Sequence, residues 1–322
     1  IYYNGTFLRS TDLIPSIGFA QSSFLQDERR RLANGLPTLD DLPKPGDEMA
    51  FRRNFLSHDA DLIDFAVTVS TSPDQTAIAP GYLKREWTEN SRRYFRYEMD
   101  KPIANFWSVL SARYAIARDR WNDVELSILH HPSHSANLPA MFEGLKLALA
   151  YASEAFGPYQ FRQLRVAEFP YSNFAQSFPN TVPFSENANF IVDPTAAGAF
   201  EFGVVDIAAH EVAHQWWGNR VVPADMPGAQ FLSETLAEYT MLMVIKRRYG
   251  EEAALRLLLR DVDRYLKSRG TGDKERPLVQ VKPRQSDIAY RKGGIAMYEL
   301  QRVVGEKTVN RALARYAREY GG

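Results

Sequence analysis

The sequence has 322 residues, which at about 150 residues per domain suggests two domains with cores of their own. Lysine plus arginine and aspartate plus glutamate each number 39, so there is no basic excess to neutralise phosphates, and nucleic acid is excluded as the principal partner. A hydrophobic fraction of 45% excludes disorder as the dominant state, and the absence of cysteine excludes disulfide staples, Cys-ligated metals and thiol catalysis.

The chain opens at Ile1 without an apolar leader and closes on Gly321-Gly322 straight after an amphipathic stretch, so it reads as a segment of something longer. Ile63, Phe65, Val67 and Val69 alternate with polar residues, as do Val124, Leu126 and Ile128, which is the pattern of half-buried strands. Pro43-Lys44-Pro45-Gly46 and Pro80-Gly81 read as turns, and the doublets Arg52-Arg53 and Arg92-Arg93 as solvated strand faces. After His131-Pro132 the texture changes. Leu138, Phe142, Leu145 and Leu149 fall at helical spacing, closed by Phe156-Gly157-Pro158. Strand-like pieces follow at 164–169 and 187–192, then helices at 206–218, 233–250, 251–270, 288–305 and 306 to the end. The predicted organisation is α+β, with a β-rich domain over 1–135, itself incomplete, and a mixed domain over 136–322 that becomes mostly helical. No run reaches the ~18 apolar residues of a membrane span. The most apolar stretch, from Met241 to Ile245, is closed off by Lys246, Arg247 and Arg248.

The informative segment runs from Asp206 to Asn219 and contains His210-Glu211-Val212-Ala213-His214. Asp206 is placed to cap the helix start and Gly218 its end. Four residues is just over one helical turn, so both imidazoles leave the same face, as two ligands of one zinc ion must. Glu211 lies about 100° round the helix, able to reach a water at the metal. The bland reading is a helix with two buried, hydrogen-bonded histidines and a surface Glu. A catalytic zinc wants a third protein ligand and an open position, and Glu234, in the first turn of the next helix, is a candidate. Two neutral imidazoles and one carboxylate would leave the site at +1, which still lowers the pKa of a bound water. Glu238, one turn on, could accept a hydrogen bond from a ligand imidazole. His58, His130, His131 and His134 lack ligand spacing and read as structural or exposed, and Trp216 and Trp217 as core packing.

His210-Glu211-x-x-His214-Gln-Trp-Trp-Gly-Asn219 with Leu-Ser-Glu234 resembles the zinc signature of the aminopeptidase N family of gluzincin metallopeptidases. The resemblance implies a thermolysin-like catalytic domain, one zinc ion held by His210, His214 and Glu234, and Glu211 as general base. The spacing from His214 to Glu234 is one residue longer than is usual there, and the extra residue is expected in the loop 221–229. Pro183-Phe184-Ser185-Glu186-Asn187 stands where the family carries Gly-x-Met-Glu-Asn, with only the Glu-Asn pair kept. The resemblance puts Glu186 and Asn187 at the substrate, Glu186 on the free α-amino group. The adjoining strand at 187–192 could bind peptide backbone as an added strand. Ala289-Tyr290-Arg291-Lys292-Gly293-Gly294 is similar to the family's Tyr-x-Lys-Gly segment, which implies Tyr290 as hydrogen-bond donor to the oxyanion.

The function expected is that of a zinc-dependent metallopeptidase acting on peptides, an aminopeptidase first. The alternatives are a zinc endopeptidase and a non-catalytic peptide-binding or sensing domain of a membrane transporter. The wording around Pro-Asn-Thr-Val-Pro-Phe-Ser-Glu is similar to aminopeptidase-like domains joined to ABC-type permease helices in bacterial membrane proteins. That implies a soluble domain excised from a membrane protein, with transporter segments outside this chain.

Overall fold

Period-two alternation shapes the N-terminal part of the computed structural model, which describes residues 5–13, 25, 28–36, 46–56, 61–171, 174–193, 203–269, 275–281 and 285–321. The strands there are β1 (Gly5–Arg9), β2 (Leu62–Ile63), β3 (Ala66–Thr71), β4 (Thr76–Ile78), β5 (Tyr82–Glu89), β6 (Arg92–Glu98), β7 (Ile103–Ala104) and β8 (Ser108–Ala112). They pair antiparallel as β1-β8-β4, β2-β7 and β3-β6-β5. The single strand predicted around Ile63 to Val69 is two, broken between Ile63 and Ala66. Short helices α1 (Ser10–Leu13), α2 (Glu28–Ala33) and α3 (Glu48–Arg52) punctuate these strands. Arg52 therefore ends a helix capped by Asp47 and is not on a strand face. Arg93 does lie on a strand, where it pairs with Glu86 at 2.6 Å. Pro43 to Pro45 and His58 lie outside the described residues.

The sheet that positions the site has four strands, β9 (Ala115–Trp121), β10 (Val124–His130), β11 (Gln163–Phe169) and β12 (Thr181–Ser185), in the order β12-β11-β10-β9. β9 and β10 are antiparallel, whereas β10, β11 and β12 run parallel, with helix α4 (Leu138–Phe156) as the crossover between β10 and β11. All five residues of β12 are buried, as parallel strands covered on both faces require.

The strand predicted at 187–192 is absent. The chain leaves β12 at Ser185 and enters a π-helical turn, Glu186–Phe190. The Asn137 amide donates to the carbonyls of Asn189 (2.8 Å) and Val192 (2.7 Å), and the Asn189 amide donates to Val204 O at 3.0 Å. Those bonds hold the segment as a turn and occupy two of its carbonyls, so no strand edge is offered there to a peptide.

The rest is helical: α5 (Gly203–Ala213), α6 (Leu236–Tyr249), α7 (Glu251–Ser268), α8 (Gly293–Val304) and α9 (Glu306–Tyr320). Among the described residues no helix is long and apolar enough to cross a membrane. Trp216 and Trp217 are core residues, as expected. Trp217 meets Phe156 edge-on at 5.0 Å and donates to Thr240 Oγ1 at 3.1 Å, while Trp216 donates to Gly157 O at 3.0 Å.

Helices α4 and α5 touch almost backbone to backbone at Gly144, where a Cβ would lie 2.9 Å from Ala208 Cβ and 3.2 Å from Val205 Cα. Gly144→Val should therefore push α5 off α4 and lower stability by about 1–3 kcal/mol. A denaturant midpoint equal to that of the wild type would contradict this close contact.

Candidate active site

The site is built on α5. The helix begins at Gly203, so Asp206 lies inside its first turn and is not the cap that the sequence suggested. It is buried, and among the described residues its carboxylate accepts from the neighbouring Ile207 N–H at 2.6 Å and faces Arg260 at 3.6 Å, which is no capping geometry. Regular helix stops at Ala213, although His214 N–H still reaches His210 O at 3.3 Å. Three turn residues and Trp217, which bridges to Val221, then lead to Gly218, whose φ of +123° lets the chain reverse.

His210 and His214 project from one face of α5, as their spacing predicts, and Glu234 faces them from a π-helical turn at Phe231–Thr235 that leads into α6. His210 Nε2 and His214 Nε2 lie 3.1 Å apart, and Glu234 Oε2 is 3.5 Å from the first and 3.2 Å from the second. A tetrahedral ion with bonds of about 2.0–2.1 Å keeps its ligands roughly 3.3–3.4 Å apart. The triangle has the size that zinc demands. Glu234 Oε2 is moreover buried with no well-formed hydrogen bond of its own, which an ion there would remedy. The π turn holds one residue more than an α turn, which offers the helix start as a second place for the longer spacing beside the loop 221–229.

The outer nitrogens are engaged in a way that turns the inner ones to the centre. His214 Nδ1 lies 2.8 Å from Trp217 O, to which only an N–H can donate, so in the neutral ring Nε2 carries the lone pair. Glu238 Oε1 sits 3.2 Å from His210 Nδ1, within ion-pair reach though off the line of a well-formed hydrogen bond.

Glu211 and Tyr290 join His210 around one cavity of about 350 Å³, also lined by Glu238, Phe174 and Ala188. The Tyr290 ring stacks on His210 at 5.6 Å and 16°. Tyr290 stands on another π-helical turn, Asp287–Lys292, fastened to the Glu234 turn by Thr235 Oγ1 donating to Ala289 O. The two turns approach so closely that a Cβ on Gly293 would fall 2.3 Å from Thr235 Oγ1. Burial, then the Glu234 charge, holds the Tyr290 phenol far above its ordinary pKa, which keeps it a neutral donor. Burial also raises the Glu211 carboxyl. Burial alone would lower His210, but its contacts with Glu234 and Glu238 prevail and lift it well above the ordinary imidazole value. Glu234 moves the other way: burial would raise it, and the facing imidazoles hold it far down.

Glu186 and Asn187 are not in this triangle. They open the turn whose Ala188 lines the cavity, and Asn187 Oδ1 accepts from Ser185 Oγ at 3.4 Å. Beside Glu186 the structure brings His134 and Glu168, with ligand atoms mutually within 4.8 Å. Sequence spacing gave no hint of that trio. The available signal was a lone acid, Glu168, in the otherwise apolar end of β11.

These features define the class of zinc metallopeptidases, and comparison with known proteins agrees. Residues 142–322 match the peptidase family M1 domain, and the chain belongs to that family. It is 32% identical over 102 residues to "Aminopeptidase RNPEPL1" of Mus musculus and of Homo sapiens, a match over 32% of this chain and 13% of those proteins. The chain thus aligns with only a small part of the length of these curated relatives. Among solved structures, the M1 zinc metallopeptidase from Deinococcus radiodurans is similar with a TM-score of 0.64 and 19% identity, over 82% of this chain and 58% of that one. A variant of that enzyme bound to a Tyr-Ser-Ala substrate superposes with the same TM-score of 0.64 at 18% identity, over the same 82% and 58% of the two chains. The α+β architecture expected from the sequence is that of these structures.

Two outcomes follow from the charges. Ligand imidazoles must be unprotonated to bind a metal, so zinc affinity should fall steeply as pH falls, by more than one proton per ion. Calorimetric titration in buffers of different ionisation enthalpy measures that proton release. Burial lifts Asp206 from 3.8 to about 7. The folded chain then keeps a proton that the unfolded chain has released, so stability should fall as pH rises from about 4 to about 7. Asp206→Asn should flatten that slope in denaturant titrations of the metal-free protein, and an unchanged slope would contradict it.

Proposed function

We propose that the chain is a zinc-dependent aminopeptidase that removes N-terminal residues from peptides, with His210, His214 and Glu234 holding the ion. The observation that carries the reading is the triangle of donor atoms at 3.1–3.5 Å, with Glu211 and Tyr290 beside His210 on one cavity. Zinc in that position would polarise a scissile carbonyl and acidify a water. Glu211, buried and raised in pKa, takes the proton of the attacking water and passes it to the leaving amine. Tyr290 donates its phenolic hydrogen to the oxyanion as charge develops. Glu238 orients His210, and the Trp217 carbonyl orients His214. Glu186, at the mouth of the turn that lines the cavity, receives the α-ammonium, so that only the first peptide bond reaches the water. The name of the RNPEPL1 relatives and the substrate-bound M1 structure support a peptide as substrate.

Glu211→Gln should retain zinc and lose turnover by roughly 10²–10⁴-fold, the span of a general base. Near-normal activity in that variant would remove the mechanism. Tyr290→Phe should lower kcat by about 10²–10³ while KM changes little. Peptides with a free N-terminus should be cleaved and their N-acetylated forms left intact; cleavage of both would favour an endopeptidase.

A further inference from the structure

Helix α7 is apolar on two faces. Ala253, Ala254, Leu257, Leu258 and Asp261 are buried, on the side packed against α6 and the π turn of Tyr290. Roughly 140° round the helix, at about 100° per residue, lies a second row: Leu255, Leu259, Val262 and Leu266. Its three leucines are 40%, 69% and 56% exposed. Single exposed leucines are ordinary, but a continuous row turned away from the core is not. The steps of four, three and four residues are those of the a and d positions of a coiled-coil seam.

The charges beside the row point to a second copy of this chain as what covers it. When two α7 helices run antiparallel with Leu259 of each against Val262 of the other, Leu255 falls against Leu266. The next layers out then set Glu252 of each copy against Arg269 of the other, and along one flank Arg256 faces Asp263. Every one of these contacts occurs twice, as a two-fold axis requires of a patch that meets itself. Within one copy Glu252 already pairs with Arg256 at 3.1 Å and Asp263 with Lys267 at 2.6 Å. Each flank of the pair would therefore read Glu252, Arg256, then Asp263 and Lys267 of the second copy, alternating in sign. A parallel pair would instead oppose Glu252 to Glu252 and Arg269 to Arg269, which like charges disfavour. A lipid surface fits less well, because helices that lie on membranes carry Lys and Arg beside their apolar row, and here two acids stand among them.

We propose that this face of α7 is a self-complementary contact through which two copies of the chain pair antiparallel. A stable interface buries about 1,200–2,000 Å². Helix α7 has 18 residues and is only about 27 Å long, so the pairing is weak, with a Kd on the order of 10–100 µM.

Sedimentation equilibrium of the zinc-loaded chain, from about 1 µM to about 500 µM, should show monomer and dimer in exchange. Leu259→Glu should raise the dimer Kd by roughly thirtyfold or more, as loss of a central apolar contact implies. Asp263→Lys and Arg256→Glu each bring like charges together twice, and each alone should raise it by roughly tenfold. An equimolar mixture of those two variants, one of them labelled, should associate with nearly the wild-type Kd, because every flank contact of the mixed pair again joins opposite charges. All three positions are exposed, so circular dichroism and zinc content should match the wild type. A wild type that stays monomeric throughout, a dimer that Leu259→Glu leaves intact, or a mixture no tighter than its components would overturn the proposal. So would binding to vesicles of phosphatidylcholine and phosphatidylserine by a chain that stays monomeric, which would give the row to lipid.

Discussion

Three lone-pair donors held 3.1–3.5 Å apart inside a protein repel one another unless a cation lies between them. That constraint organises the catalytic half of the molecule. Without an ion, protons must take its place, which is why the two imidazoles are held above their ordinary pKa and Glu234 far below its own. The polar shell around the triangle follows the same logic. The Trp217 carbonyl and the Glu238 carboxylate both sit on the outer side of an imidazole and turn its inner nitrogen to the centre.

The rigidity needed to hold such a triangle comes from packing behind it. Helix α5 is pressed onto α4 at Gly144, and the two indoles that follow the second histidine are sunk in the core with their N–H groups satisfied. Across the cavity the same role falls to π-helical turns. Glu186, Glu234 and Tyr290 each stand on one; the first follows β12, and the other two lead into α6 and α8. A π turn widens the helix by one residue and re-aims its side chains, so it can bring a group to a site that an α turn would carry past. Thr235 and Gly293 lock two of these turns together, which couples the position of the carboxylate to that of the phenol.

The chemistry of the site was more legible in the sequence than its scaffold was. A spacing of four residues is enough to bring His210 and His214 to one helix face, and the long amphipathic runs of α4 and α7 announce themselves. The segment at 187–192 read as a strand because its apolar residues alternate. The side chains that bend it, Asn137 and Asn189, act through carbonyls that no pattern records. Asp206 read as a cap because it precedes the histidines by one turn, yet the helix begins earlier and buries it. His134 and Glu168 are 34 residues apart and meet because β10, which the His134 turn follows, lies parallel to β11, a pairing fixed by tertiary structure.

The most direct test is anomalous scattering at the zinc absorption edge from crystals of this chain grown with zinc. The account predicts one strong peak, at about 2.0–2.1 Å from His210 Nε2, His214 Nε2 and a Glu234 oxygen. A map with no peak inside that triangle, or with zinc bound only at other side chains, would contradict it.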